Sequence, residues 1–364
     1  MDTLQQIPPS IASVSDYLPF AQARMSEQAW AYIHGGVADE LTLQDNLAAF
    51  QRLRLRSRVL RDLSGGNTRL HLLGVEHDFP ILLAPVAYQK LAHPEGELAS
   101  VMAASALNAG MVVSTQASVS LEDIAAAASN PLWFQLYIQP DRAFTEALVR
   151  RAEAAGYRAL VLTVDAPVNG VRNREQRAGF VLPPDIQAVN LQGMRSPAMQ
   201  PPADNRSLLL GGSLLAAAPT WADIRWLRSI TRLPLLLKGV TDVEDAREAL
   251  EQGVDGLIVS NHGGRTLDGM AASLDCLEPI AEALNGRLPL LFDGGIRRGT
   301  DILKALALGA DAVLIGRPYL YGLAAAGAMG VAHVLQILRA EFEVAMALTG
   351  CRDLSAIDAS VLQR

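Results

Sequence analysis

The sequence predicts a single (β/α)8 barrel, also called a TIM barrel, preceded by a helical segment. Eight short apolar runs lie between residues 80 and 318, and helical stretches such as 144–155, 243–252 and 301–308 alternate with them. Continuous apolar strands alternating with helices are typical of a parallel sheet, and eight such units close a barrel. At 364 residues the chain is long for one domain, but α/β barrels of this length fold as one unit.

The eight predicted strands differ little in length, and only one connection between them is long. Residues from about 182 to 219, after the fourth strand, are rich in Pro, Gly, Ser and Leu. Loops of this length inside a compact domain are usually lids or disordered, so we predict a lid here. The strands are Ile81–Pro85, Met111–Ser114, Leu132–Tyr137, Ala159–Asp165, Leu235–Lys238, Gly256–Ser260, Leu290–Asp293 and Ala312–Gly316.

Residues 1–79 are predicted to form helices and one hairpin outside the barrel. The first helix opens at Ser15–Tyr17, and the second begins at Ser26 and stops at Gly35. The segment around Gly74 predicts a β-hairpin that plugs the bottom of the barrel. Residues 319–364 are predicted as C-terminal helices. The third N-terminal helix, 39–50, should turn four apolar residues inward: Leu41, Leu43, Leu47 and Phe50.

Composition narrows the class of protein. The net charge of −7 and the pI near 5.4 argue against nucleic acid or an anionic membrane surface as a partner. Two cysteines, Cys276 and Cys351, form no disulfide framework and fit a reducing cytosol. We identify no signal peptide, no metal site and no apolar run of roughly 18 residues that could span a bilayer. The expectation is a soluble cytoplasmic protein.

The most informative stretch is Ser260–Asp268, which reads Ser-Asn-His-Gly-Gly-Arg-Thr-Leu-Asp. It follows a predicted strand, and in a parallel barrel the carboxyl ends of the strands are where chemistry is placed. His262 is a proton acceptor, and Arg265 is a fixed cation three residues later, a pair that suits an anionic substrate which must lose a proton. A lone histidine is more often part of a capped turn, but polar residues elsewhere favour the catalytic interpretation.

Those polar residues mark the ends of six strands. A structural role could explain any one of them, but not easily the whole set. They are Ser114, Gln135 with Tyr137, Thr163 with Asp165, Lys238, Ser260 and Asp293.

The ends of the last two strands predict a phosphate site. Asp293–Thr300 reads Asp-Gly-Gly-Ile-Arg-Arg-Gly-Thr, and Gly316–Pro318 reads Gly-Arg-Pro. Glycines expose backbone N–H groups and arginines supply paired donors. In barrels of this kind the position commonly holds a phosphate-bearing cofactor.

Together these motifs resemble the FMN-dependent L-2-hydroxy acid oxidases and dehydrogenases, which include glycolate oxidase, lactate oxidase and mandelate dehydrogenase. The resemblance runs from about Tyr17 to Ile357 and keeps motif order and spacing. It implies the same barrel fold, FMN as cofactor, oxidation of an L-2-hydroxy acid to a 2-oxo acid, and a homotetramer. Cofactor roles are implied for Pro85, Val86, Ala87, Ser114, Gln135, Thr163, Lys238, Ser260, Asp293, Gly294, Gly295, Arg297, Gly316 and Arg317.

The resemblance also implies roles around the substrate. His262 matches the catalytic base, and Asp165 matches the carboxylate paired with it. Tyr137 matches the tyrosine that contacts the substrate hydroxyl. Arg265 matches the main clamp for the substrate carboxylate, helped by Tyr32 and Arg172.

Four departures from the family pattern concern the substrate side. Gln116 stands where short-chain oxidases carry a large aromatic residue, and 168–170 resembles mandelate dehydrogenase, so both favour a substrate bulkier than glycolate. Glu175 and Ala178 replace an Asp and an Asn that commonly precede Phe180, which leaves the anchoring of the lid open. Thr266 replaces a Gln, with a modest local effect expected.

Three classes of function remain at the level of sequence, and the FMN-dependent 2-hydroxy acid enzyme is the first. A flavin-dependent isomerase and a non-catalytic flavin-binding barrel are the other classes, and the residues His262, Asp165, Tyr137 and Arg265 argue against both. Oxygen is the expected electron acceptor, and a quinone or other carrier is the alternative. Whether hydrogen leaves the substrate as hydride or as a proton is not fixed by the sequence.

Overall fold

The structure, a computed structural model, describes residues 3–195, 207, 209–210 and 212–363, without the side chain of Leu214. The N-terminal segment forms three helices and most of two small antiparallel sheets. Ser26 accepts a hydrogen bond from Ala29 N (3.1 Å) and so caps the second helix, as its position predicted. The elements are α1 (Tyr17–Arg24), α2 (Glu27–His34), α3 (Leu41–Arg52), β1 (Arg54–Leu55), β2 (Leu70–Leu72) and β3 (Val75–His77).

The predicted barrel is confirmed. Eight parallel strands close on themselves, because the last barrel strand pairs with the first in register Val313 to Ile81. Each lies within three residues of its predicted bounds. The strands are β4 (Ile81–Leu83), β5 (Gly110–Ser114), β6 (Leu132–Leu136), β7 (Leu160–Thr163), β8 (Leu235–Val240), β9 (Gly256–Val259), β10 (Leu290–Asp293) and β11 (Ala312–Ile315).

Helices surround the barrel, and those expected at 144–155, 243–252 and 301–308 are present within two residues of these bounds. The final described residues differ from the expected helices. Leu362–Gln363 form β12, which pairs antiparallel with β1. The helices are α4 (Glu97–Ala106), α5 (Leu121–Ala127), α6 (Arg142–Ala154), α7 (Asn173–Arg177), α8 (Ser213–Ala216), α9 (Trp221–Ile230), α10 (Val243–Glu251), α11 (Ser273–Leu284), α12 (Gly299–Ala307) and α13 (Arg317–Thr349).

The β2–β3 hairpin plugs the bottom of the barrel, as predicted. Leu72 belongs to the same buried apolar cluster as Leu82, Val112 and Trp133, whose side chains fill the barrel interior. The barrel is therefore closed at its amino-terminal end and open only at the end where the polar residues lie.

One helix among the described residues, α13, is long and apolar enough to cross a membrane, so the expectation that no run reaches this length is wrong. Of its most apolar window, 72% is buried inside the protein. Ala326 and Gly327 leave helical backbone angles, so two helices meet at a kink. The helix packs against α1, α4 and α12 as part of the core.

The predicted inward face of α3 is partly wrong. Leu41 is 57% exposed, and Leu43 and Leu47 are only half-buried. Two polar residues, Thr42 and Asn46, are buried instead. They face inward because α3 packs against the polar loop that follows β9, where hydrogen-bonding groups are needed.

Asn46 ties α3 to that loop. Its amide and the amide of Asn261 exchange two hydrogen bonds, at 2.8 and 2.9 Å. Asn46 Oδ1 also accepts from Ser273 N (3.1 Å), and Asn261 Oδ1 accepts from Gly264 N (3.2 Å). Because both amides are buried, each depends on the other to satisfy its polar atoms.

We predict that Asn46→Ala lowers the free energy of unfolding by about 1–3 kcal/mol, because it removes two hydrogen bonds to Asn261 and the acceptor of Ser273 N from a buried site. Urea unfolding measures the change. Gln51→Ala on an exposed position of the same helix is the control and should cost less than about 0.5 kcal/mol. Equal losses for the two variants would contradict a structural role for the amide pair.

Candidate active site

A cavity of about 610 Å³ opens at the carboxyl ends of the barrel strands. The structure brings the predicted site residues together there, except that Asp165 and Ser260 lie behind the lining. The predicted residues that line the cavity are Tyr32, Pro85, Val86, Ala87, Ser114, Gln116, Gln135, Tyr137, Thr163, Arg172, Lys238, His262, Arg265, Asp293, Gly294, Gly295, Arg297, Gly316 and Arg317.

His262 is paired with Asp165. The ring Nδ1 lies 2.8 Å from Asp165 Oδ1. Because an ionised carboxylate only accepts hydrogen bonds, Nδ1 carries the hydrogen, and Nε2 keeps a free lone pair. Burial acts to raise the pKa of Asp165, but the His262 ring and then Lys238 outweigh it and lower the pKa below its usual range. The ionised carboxylate therefore stabilises the positive charge that the ring gains on taking a proton.

The loop after β9 presents this histidine in an unusual backbone conformation. His262 has a φ of 57°, in the left-handed region that few non-glycine residues adopt. Gly264 follows at 69°, and a Cβ there would lie 2.6 Å from Leu43 N of α3. The loop can therefore turn only where glycine allows close contact with α3. Strained residues of this kind cluster at functional sites.

Lys238 supplies a buried positive charge beneath the cavity. Its Nζ lies 2.8 Å from Asp293 Oδ2 and donates to Ser260 Oγ at 2.8 Å. Burial acts to lower the pKa of Lys238, but Asp293 and Asp165 outweigh it and raise the pKa, so the amine is protonated. Ser260, predicted as a cofactor ligand, does not line the cavity; it accepts from Lys238 and from His262 N (3.0 Å). Ser260 thus holds the cation and the base in position.

A chain of side-chain hydrogen bonds crosses the ends of β5, β6 and β7. Ser114 Oγ donates to Gln135 Oε1 at 3.3 Å, and Gln135 Nε2 donates to Thr163 Oγ1 at 3.0 Å. All three residues are buried and line the cavity. They offer a row of polar atoms suited to the edge of a planar heteroaromatic ring.

The opposite end of the cavity is suited to an anion. Arg317 donates to backbone carbonyls of Ile33, Gly35 and Gly263, and among the described residues it has no ion pair. Burial and then the Arg265 charge lower the pKa of Arg317, as expected for a buried cation that lacks a counter-ion. Arg297 and the first residues of α13 line the same end, and a helix N-terminus favours negative charge.

Arg265 and Arg172 form the predicted clamp, together with a residue that the sequence analysis did not assign to the site. Arg265 lies with its guanidinium carbon 5.0 Å from the centre of the Tyr32 ring, and Tyr32 stacks on Phe180. Glu175 Oε1 lies 3.3 Å from Arg265 NH2 and 3.4 Å from Arg172 NH1. The spacing of Glu175 three residues after Arg172 was the available signal for this contact.

Gln116, predicted to face the side chain of the substrate, lines the cavity. No hydrogen bond to the Gln116 amide is present within the described residues, although its backbone N–H donates to Ser114 Oγ (3.1 Å). Leu209, in the predicted lid, is 42% exposed and does not line the cavity. The small residues Ala217 and Ala218 of the lid line the cavity instead. Lid residues 196–206, 208 and 211 lie outside the described part of the chain.

Tyr137 and Tyr88 add two phenols to the cavity lining. Burial raises the pKa of Tyr137, so its hydroxyl is neutral and can donate a hydrogen bond. Tyr88 was not predicted as a site residue. It follows the predicted segment Pro85–Ala87 directly and has a left-handed φ of 54°, a feature that only the structure reveals.

These residues fit FMN. Asp293 Oδ1 is buried without a hydrogen-bond partner among the described residues and so suits a ligand hydroxyl. Arg317, which has no ion pair in the same part of the chain, suits a phosphate. Ser114, Gln135, Thr163 and Lys238 would then hold the flavin ring. The remaining phosphate contacts would come from Gly294, Gly295, Arg297 and Gly316.

The fold and the residues that line the cavity thus define an FMN-binding barrel enzyme. The chain belongs to the FMN-dependent dehydrogenase family, whose model matches residues 21–364. It is an FMN-dependent 2-hydroxy acid oxidase, with oxygen as electron acceptor.

Similar proteins support this assignment over the full length of the chain. An L-lactate oxidase of Nostoc sp. is 50% identical, covering 95% of this chain and 96% of its own length. Another from Alicycliphilus denitrificans is 48% identical, covering 98% of each. A solved mandelate oxidase variant with (S)-mandelic acid superposes with a TM-score of 0.87 at 41% identity, covering 97% of this chain and 98% of that one.

We predict that His262→Ala slows substrate-dependent flavin reduction by about 10²–10⁴-fold, because a positioned acid–base group contributes this much. The bound flavin should remain, since the phosphate end of the cavity lies on other strands. Anaerobic stopped-flow absorbance measures the rate. His71→Ala, at an exposed position of β2 in the hairpin, is the control. Reduction at the wild-type rate would show that His262 is not the base.

Proposed function

We propose that the protein oxidises L-lactate and related L-2-hydroxy acids to 2-oxo acids and reduces oxygen to hydrogen peroxide. One observation carries the reaction: the His262–Asp165 pair and the Arg265–Arg172 clamp face one cavity with the FMN residues. The choice of lactate is supported by the two L-lactate oxidases that share 50% and 48% of their residues with the chain.

The chain's own residues bind the substrate and move its protons. Conversion of a 2-hydroxy acid to a 2-oxo acid releases two protons and two electrons. Arg265 and Arg172 hold the carboxylate, which fixes the orientation of C2, and Tyr137 hydrogen-bonds the hydroxyl oxygen. His262 accepts one proton at Nε2, and Asp165 stabilises the resulting imidazolium. FMN, when bound, would supply the two-electron redox chemistry, and the two electrons and two protons would leave on oxygen as hydrogen peroxide.

A bulkier substrate is the second candidate, and Gln116 favours it. Gln116 lines the cavity, as do the small residues Ala217 and Ala218, whereas Leu209 does not. Burying a phenyl ring in this cavity could supply about 1.5–3 kcal/mol. The sequence-based expectation that mandelate or phenyl-lactate exceeds lactate and glycolate in kcat/KM stays a prediction.

A substrate panel separates the candidates. L-lactate, glycolate, (S)-mandelate and L-phenyl-lactate are assayed with oxygen by peroxide formation and with an artificial acceptor. The highest kcat/KM for lactate supports the first candidate, and the highest for an aryl acid supports the second. Faster turnover with the artificial acceptor than with oxygen would favour the dehydrogenase alternative.

We predict that Gln116→Trp lowers kcat/KM for mandelate relative to lactate by about 10–200-fold, because the indole fills the space that a phenyl ring needs. The flavin spectrum should not change. Steady-state kinetics with both substrates measure the ratio, and Gln116→Asn, which adds no bulk, is the control. An unchanged ratio in the Trp variant would place the substrate side chain elsewhere.

We further propose a homotetramer in the cytoplasm. Its subunits of 38.9 kDa expose apolar residues, Val59 (80%), Leu60 and Val181 (72%) among them, that an interface would cover. The two cysteines form no disulfide in the structure, which is compatible with a reducing compartment. Light scattering after size-exclusion chromatography should give four times the subunit mass; a monomer mass would exclude the assembly.

A further inference from the structure

Glu175 places a carboxylate of the protein itself inside the clamp that should receive the substrate carboxylate. It lines the cavity and contacts both arginines through one oxygen, at 3.3 Å from Arg265 and 3.4 Å from Arg172. All three side chains are less than a fifth exposed. The interaction is therefore only weakly screened by solvent.

The two arginines need an anion whether or not substrate is bound. Burial lowers the pKa of Arg265, and the neighbouring Arg172 charge lowers it further, while Glu175 acts in the opposite direction. Two buried like charges side by side are costly unless a carboxylate compensates them. In the structure Glu175 provides that compensation.

The hydrogen-bond donors left for a substrate are the ones beside Glu175. Arg265 NH1 donates to the carbonyls of Tyr32 (2.6 Å) and Gly35 (2.9 Å), so NH2 and Nε remain. NH2 is the atom that Glu175 contacts. On Arg172, NH1 contacts Glu175, while Nε is buried and has no partner within the part of the chain that the structure describes. A second carboxylate placed on these donors would lie next to Glu175 and repel it.

We propose that Glu175 is a resident anion of the clamp. Without substrate, Glu175 holds Arg172 and Arg265 together, and it is displaced from Arg265 when the carboxylate of the substrate binds. This inference rests on the proposed function, because it takes the ligand to be a carboxylate. The displacement weakens substrate binding without changing the groups that take the proton. Glu175 is thus a residue that sets substrate affinity.

The length of the side chain matters for this role. The family resemblance places Asp at this position, and Glu is one methylene longer. The extra reach lets one oxygen contact both arginines. Glu175→Asp keeps the charge and shortens the reach, whereas Glu175→Gln keeps the length and removes the charge, so the two variants test the contact in different ways.

The test uses the FMN-loaded enzyme and acetate, a monocarboxylate that cannot be oxidised in this way. The change in flavin absorbance gives the Kd of acetate, and steady-state assays give KM and kcat for L-lactate. We expect Glu175→Gln to lower the Kd of acetate by about tenfold or more, the scale of a hydrogen bond to a charged group, and to lower KM with kcat within about threefold. Glu175→Asp should shift both constants in the same direction.

Glu40→Gln is the matched control. Glu40 is as buried as Glu175, and it pairs with Arg174, which lies on α7 beside Glu175. Glu40 does not line the cavity. Its Kd for acetate should equal that of wild type. Unchanged or weaker acetate binding in the Glu175 variants would overturn the inference. If Glu175→Gln does not load FMN, the Kd of acetate for Glu175→Asp is the deciding measurement. Wild-type enzyme that binds acetate but oxidises no 2-hydroxy acid would overturn the proposed function instead.

Discussion

A buried chain of alternating charges fixes the chemistry of this barrel. Asp293 pairs with Lys238, and Lys238 in turn lowers the pKa of Asp165, which holds His262. These groups come from the ends of β7, β8, β9 and β10, which are neighbours in the closed sheet. Taken singly, each charge would be costly to bury, but together they stabilise one another. The pairing of these four strands in the curved sheet brings the groups together, so the positions of His262 and Lys238 depend on that pairing.

The N-terminal segment completes a site that the barrel alone leaves unfinished. Asn46 of α3 supports the loop that carries His262, and a Cβ on Gly295 would lie 2.1 Å from Asn46 O. The same helix therefore packs against the loop after β9 and the loop after β10. α2 and Gly35, which follows it, provide Tyr32 and the carbonyls that orient Arg265 and Arg317. Damage to these helices should affect cofactor and substrate together, although neither helix belongs to the barrel.

The substrate end differs in character from the cofactor end. The cofactor end is built from strand termini and is rigidly hydrogen-bonded. The predicted substrate end combines a five-residue helix, α7, with residues after strand β7 and the Gln116 amide, which has no hydrogen bond to the described residues. Its charged side chains form ion pairs that a ligand can replace, notably those of Glu175 with the two arginines. This division explains how one scaffold can keep FMN chemistry constant while the accepted side chain changes.

The sequence by itself determined the barrel, the strand ends and most of the residues around the cavity, because apolar runs and the polar residues that follow them are local signals. It did not show that Asn46 faces inward, where apolar periodicity favoured Leu41, since a buried polar residue depends on the partner it meets. The cap at the start of α3 was equally beyond local prediction. The preceding residue, Glu40, makes no side-chain cap hydrogen bond; instead Asp268, more than two hundred residues away, accepts from Thr42 N at 2.9 Å. The β1–β12 pair and the contact of Glu175 with Arg265 likewise join distant segments. Such contacts leave no local pattern, because their energy exists only once the folded chain brings both partners together.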